Sequence, residues 1–218
     1  MMVEIVGLPS IGKTSIIESL KKNYKDQINF VGKQKCKRRV KFFEVFKFFL
    51  RLIFFYPKII FDFKSSFWLL SKITLRLCGY RNDIKNEICI LNESGALMPI
   101  ISFIVQWNKS SYKVDLNKII QALPLPDVVV FIESDIGTVI NRYKCRGGVK
   151  IHGKQDRYPV VKNVKLYKQF LLGRNVLLNL QDILKKKCTV IVVNNNNVKC
   201  DKAASYVLHE LILQLNLD

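Results

Sequence analysis

The chain has 218 residues, of which 49% are apolar, and its 36 Lys and Arg against 17 Asp and Glu give a formal net charge of +19. That length and apolar content exclude a disordered protein and suit one α/β domain carrying an elaboration. The charge draws phosphates, nucleic acid or anionic lipid toward the surface without defining a fold, and a Lys-rich background usage accounts for part of it.

Met2 to Val6 reads as a short buried parallel strand that runs into a glycine. Residues Thr14 to Lys22 carry Ile16, Ile17 and Leu20 at helical spacing, so the chain opens as strand, loop, helix. A second strand is expected at Ile28–Val31, followed by a basic run from Lys33 to Lys41. Between 42 and 77 the chain is rich in Phe, Leu and Ile, with charges at Glu44, Lys47 and Arg51 three or four residues apart, as on one stripe of a helix. Pro57 divides this stretch into two or more helices. Its uncharged runs fall well short of the roughly 20 residues that a membrane span needs.

Ile88 to Leu91 is the third strand and ends at Asn92-Glu93-Ser94-Gly95. A largely helical stretch leads to Pro126-Asp127 and a β-branched strand from Val128 to Ile132, then to a helix from Ile136 to Tyr143. Gly147 to Pro159 has loop composition. Leu166 to Leu184 is helical in pattern, with an interruption expected at Gly173. Thr189 to Val193 is the last strand, Asn194 to Asn197 a turn, and Lys202 to Leu215 a closing helix. Strands alternating with helices imply a three-layer fold, a parallel sheet flanked by helices. The chain is expected to be one domain over 1–218, with a helical acceptor-side insertion at 36–84 and a lid at 142–159.

Cys36, Cys78, Cys89, Cys145, Cys188 and Cys200 are scattered without a C-x-x-C pair, and His152 and His209 are the only histidines. This is no metal-site spacing, and it fits free thiols in a reducing cytoplasm. A motif that starts at Gly7 leaves no room for a cleavable leader, so a cytoplasmic location is expected.

The motif is Gly7-Leu8-Pro9-Ser10-Ile11-Gly12-Lys13-Thr14, which meets G-x-x-x-x-G-K-[ST] at every fixed position. The glycines let backbone N–H groups curl inward toward phosphate oxygens, and the helix beginning there adds the positive end of its dipole. Lys13 reaches the β- and γ-phosphates, and the Thr14 hydroxyl suits Mg²⁺. Gly7 to Ser15 are therefore the expected cofactor-binding residues for ATP, with Lys13 also catalytic. Such loops serve many activities, so the rest of the chain must choose among them.

Four features favour a small kinase: the short chain, the N-terminal loop, the Pro126-Asp127 strand followed by Arg142-x-x-x-Arg146-Gly147, and Asp156-Arg157-Tyr158 before a long helical stretch. Together they resemble the thymidylate-kinase-like branch of the P-loop nucleoside and nucleotide kinases, over residues 1–35 and 85–215. The resemblance implies that Arg142, Arg146 and Arg157 belong to a closing lid. Arginines so placed neutralise charge on the transferred phosphoryl group, although a chain with 36 basic residues places arginines in many positions. The resemblance also implies an adenine site beside Asn194–Asn197, where the asparagines read individually as ordinary turn residues.

Asn92-Glu93 stands where that family usually has Asp-Arg, and Ser94 is no arginine. Glu93 is the candidate catalytic carboxylate, able to orient a Mg²⁺-bound water or accept the acceptor's proton; a solvated glutamate at a strand end is the plainer account. Metal binding is thus expected from Thr14 and Glu93. The second strand ends at Val31-Gly32-Lys33 without an acid, which fits an anionic small-molecule acceptor better than an uncharged sugar.

Residues 33–77 are then either helices that form the acceptor pocket or a surface element drawn to the anionic inner face of a membrane. Nucleic acid has only the charge in its favour, without a recognition module. The expected function is an ATP- and Mg²⁺-dependent phosphotransferase of nucleotide-kinase type. The alternatives are a kinase acting on a membrane-linked or glycan acceptor, and a non-catalytic nucleotide-binding protein.

Overall fold

The computed structural model describes residues 1–31, 50, 54, 87–91, 95–107, 115–121, 123, 125–145, 163–196 and 198–216. The expectations for 36–84 and for most of the 142–159 segment lie outside the described residues, apart from exposed Leu50 and Phe54 and the helical residues through Cys145.

Five strands form one parallel sheet: β1 (Met2–Val6), β2 (Ile28–Val31), β3 (Ile88–Leu91), β4 (Val128–Glu133) and β5 (Thr189–Asn194), in the order β2-β3-β1-β4-β5. The helices between them are α1 (Lys13–Tyr24), α2 (Leu97–Trp107), α3 (Leu116–Gln121), α4 (Ile136–Cys145), α5 (Asn163–Leu184) and α6 (Cys200–Leu215). The expected strands are all present within a residue or so. β1 lies at the centre, paired with β3 through Val3↔Ile90 and with β4 through Val6↔Phe131. All its residues are buried, and so are all of β3 and most of β4, which is why these segments, Glu4 and the terminal Glu133 apart, are β-branched or apolar instead of alternating.

The helices pack in two groups, α1 against α6 and α5 against α2, α3 and α4. Ser19 Oγ on α1 donates to Asp201 Oδ1 on α6 at 2.6 Å, adding a polar tie to the first group. Pro99 sits in the first turn of α2, where the missing N–H removes no intrahelical bond. Among the described residues no helix is long and apolar enough to cross a membrane.

The interruption expected at Gly173 does not occur, and α5 runs unbroken for 22 residues. A mid-helix glycine costs about 1 kcal/mol relative to alanine. Here its reason is tertiary, since a Cβ at this position would come within 3.0 Å of Leu8 Cδ2. The missing side chain lets α5 lie directly against the loop that leaves β1.

Glu4, in the middle of β1, is fully buried. Its Oε1 accepts the N–H of Leu97 at 3.0 Å, so a carboxylate in the core holds the N-terminus of α2, where the helix dipole favours negative charge. Glu4→Ala removes that acceptor and opens a cavity, and should cost about 2–4 kcal/mol in urea unfolding. Glu4→Gln, which keeps the acceptor, should cost distinctly less.

Candidate active site

The loop from Gly7 to Gly12 leaves the C-terminal end of β1, the edge at which open parallel sheets bind ligands. Two contacts explain its glycines. A Cβ at Gly7 would lie 2.8 Å from the Ile132 carbonyl oxygen on β4, and Gly12, the N-cap of α1, has φ 106°. Ser10 also takes a left-handed conformation at φ 62°, which costs a non-glycine residue about 1–2 kcal/mol. The first turn of α1 contains no acidic side chain, so no acid of its own opposes the positive end of its dipole.

Lys13 opens α1 and folds back over the loop, with Nζ donating to Gly7 O at 2.7 Å and to Leu8 O at 2.8 Å. The ammonium thus lies against the loop backbone, where a phosphate oxygen could replace either carbonyl. Thr14 is exposed on the same turn. One exposed hydroxyl beside a phosphate loop fits Mg²⁺, which retains several waters and takes few protein ligands. Among the described residues no cluster of His, Cys, Asp and Glu forms a metal site. Glu93, the carboxylate expected to assist Mg²⁺, lies outside the described residues, as do Arg146 and Arg157.

Arg142 is described, and it reaches the loop. From the last turns of α4 its Nη1 donates to Ile11 O at 3.2 Å and its Nη2 to Asn195 O at 3.2 Å. The asparagines after β5 do more than an ordinary turn requires. Asn195 is 2% exposed, and its Nδ2 donates to Ile11 O at 2.6 Å. Asn196 Oδ1 accepts from Ser134 Oγ at 2.7 Å and from Asp135 N at 2.8 Å, tying the ends of β4 and β5 together. The run of asparagines is visible in the sequence, but their partners lie 53 to 184 residues away.

On the other side of the loop is a cavity of about 90 Å³. Leu8 and Pro9 of the loop, Met98 and Ser102 of α2, and Gln169 and Gly173 of α5 are among its lining residues, and among the described residues none that line it is charged. Gln169 Oε1 is buried there and has no hydrogen-bond partner among the described residues. Nothing in the sequence pattern marks Ser102 or Gln169, because the cavity exists only once α2 and α5 meet. Of the four described thiols Cys89 is buried, Cys145 is exposed, and Cys188 and Cys200 are half-buried; burial pushes the Cys188 thiol up to about 11, helped by the Asp127 carboxylate.

Asp135 caps α4, with Oδ1 accepting the Thr138 N–H at 2.7 Å. Hydrogen bonds from Thr138, first of its side chain and then of its backbone, hold the Asp135 carboxyl below the usual aspartate range. A depressed folded-state pKa contributes stability above the unfolded value near ~3.9 and loses it as pH falls through the folded value. Asp135→Ala should therefore lower Tm at neutral pH, with the difference from wild type closing as acid titrates the wild-type carboxylate.

No protein-family model matches the chain, and no curated protein does. Solved structures do match. A deoxyadenosine kinase from M. mycoides with bound dCTP aligns over 97% of this chain and 98% of its own, at TM-score 0.56 and 15% identity. The structure with products dCMP and a flexible dCDP gives TM-score 0.58 at 14% identity over 97% and 98%, and the one with dATP gives 0.52 at 17% over 97% and 99%. At such identities it is the architecture that is shared: the chain has the fold of a P-loop nucleoside kinase.

Proposed function

We propose that the protein is a phosphotransferase that moves the γ-phosphate of a nucleoside triphosphate, with Mg²⁺, to a nucleoside-like acceptor. The observation that carries this reading is that Gly7, Leu8 and Pro9 belong both to the phosphate loop and to the wall of the cavity between α2 and α5. A molecule seated in that cavity adjoins the loop that would hold the transferred group, the proximity that phosphoryl transfer requires.

In this reading the N–H groups of the loop and of α1 bind the phosphates, and Lys13 follows the charge that develops on the transferred group. Thr14 would hold Mg²⁺, which supplies further neutralisation of the phosphate oxygens. Arg142, with Arg146 and Arg157, would complete the neutralisation on the donor side, and Glu93 would accept the acceptor's proton or orient the metal's water. The described part of the cavity lining, which carries no charge, favours a neutral heterocycle with hydrogen-bonding edges, which Ser102 and Gln169 can meet. The structural neighbours, themselves deoxyadenosine kinases, agree with a nucleoside acceptor, and a nucleoside monophosphate, as in the thymidylate-kinase-like branch, is the second class to test. The basic run after β2 is the feature that favours that anionic acceptor.

The test is Mg²⁺-ATP turnover against nucleosides, nucleoside monophosphates, sugars and lipid-linked glycans. Stimulation by nucleosides is expected, and stimulation by glycans alone would overturn the acceptor assignment. Lys13→Ala should lower turnover by about 10²–10³-fold, the usual loss of one group that stabilises transition-state charge. Ser102→Phe, which fills the cavity from α2, should raise the acceptor KM at least about tenfold, equivalent to about 1.4 kcal/mol, while Mg²⁺-ATP binding stays close to wild type.

A further inference from the structure

The carbonyl oxygen of Ile11 is the point at which three separate parts of the chain meet. It accepts from Asn195 Nδ2 at 2.6 Å and from Arg142 Nη1 at 3.2 Å, and Arg142 Nη2 reaches the Asn195 carbonyl at 3.2 Å. Asn195 is anchored in turn, since its backbone N–H donates to Glu133 O at 2.7 Å and its side chain is buried. The loop is fitted to this amide: a Cβ at Gly12 would lie 2.5 Å from Asn195 Nδ2.

The other end of the amide is unsatisfied. Asn195 Oδ1 is buried and has no hydrogen-bond partner among the described residues. An orphaned acceptor is costly, so packing alone would favour an apolar side chain of similar size. What the asparagine adds is the N–H directed at Ile11.

Because a trans peptide is planar, its C=O and N–H point in opposite directions. Turning the Ile11 oxygen toward Asn195 therefore turns the Gly12 N–H away from Asn195. We infer that Asn195 is a positioning residue for the donor phosphates, acting through the Ile11–Gly12 peptide to keep a carbonyl out of the phosphate site and an N–H available to it. Arg142 shares this task and is bound to the loop by the same peptide. The inference rests on reading the Gly7–Thr14 loop as a triphosphate site.

The experiment is calorimetric binding of Mg²⁺-ATP, with steady-state turnover and thermal melting, for wild type, Asn195→Leu and Asn195→Asp. Leucine removes the donor and the orphaned acceptor together; aspartate keeps the shape and replaces the donor by an acceptor. Both should weaken Mg²⁺-ATP binding about tenfold, or about 1.4 kcal/mol. KM for the nucleotide should rise by more than kcat falls, and Asn195→Leu should melt no lower than wild type. A wild-type Kd in either folded variant overturns the assignment, and Asn195→Asp decides alone if the leucine variant does not fold. Absence of Mg²⁺-ATP binding by wild type would instead overturn the phosphate-loop reading, and this inference with it.

Discussion

Because β1 is paired on both edges, with β3 on one side and β4 on the other, the chain beyond Val6 can leave only through the C-terminal edge of the sheet. It passes there so close to the Ile132 carbonyl that no Cβ fits at Gly7. The remaining geometry follows from that exit. A backbone pressed against β4 at Gly7 and released into α1 at Gly12 has to curl, and the curl collects N–H groups at the start of a helix. The strain at Ser10 is held by the rigid elements at either end of the loop.

Two neighbourhoods meet at this loop and have opposite chemistry. On the side of α4 and the β5 end, polar groups predominate: Asn195, Arg142 and the Ile11 carbonyl form one connected set, and Asn196 joins Ser134 and Asp135 close by. On the side of α2 and α5 the described lining residues are apolar apart from Ser102 and Gln169, and Gly173 brings the long helix against Leu8. The proposed transfer from a charged donor to an acceptor recognised mainly by shape would draw on both sides. Glu4 serves the second side from within the sheet, since its carboxylate holds the N-terminus of the helix that carries Met98 and Ser102.

Elements set by local pattern are legible along the chain. The β-branched runs at Val128 and Thr189 are strands, the spacing of Ile16, Ile17 and Leu20 is a helix, and the loop between β1 and α1 is marked by a local motif of two glycines, a lysine and a threonine. The expectations that missed are those in which a residue type has one habitual local meaning and another tertiary one. Gly173 reads as a helix break, yet it is a point of close approach. The asparagines after β5 read as a turn, yet Asn195 is a buried donor to a carbonyl 184 residues away. Glu4 is inconspicuous inside a short apolar run, although a charge in a buried strand is itself a signal that a partner must exist.

By itself, then, the sequence determined the alternation of strands and helices and the glycine-lysine-threonine motif of the loop after β1, because those depend on side-chain periodicity and on residues adjacent in the chain. Only the tertiary structure decided which groups surround the loop: Asn195 and Arg142 on one flank, the α2–α5 cavity on the other, and Glu4 beneath α2. The physical reason is that a hydrogen bond between distant residues depends on the sheet order and on helix packing, and neither leaves a spacing that can be read along the chain.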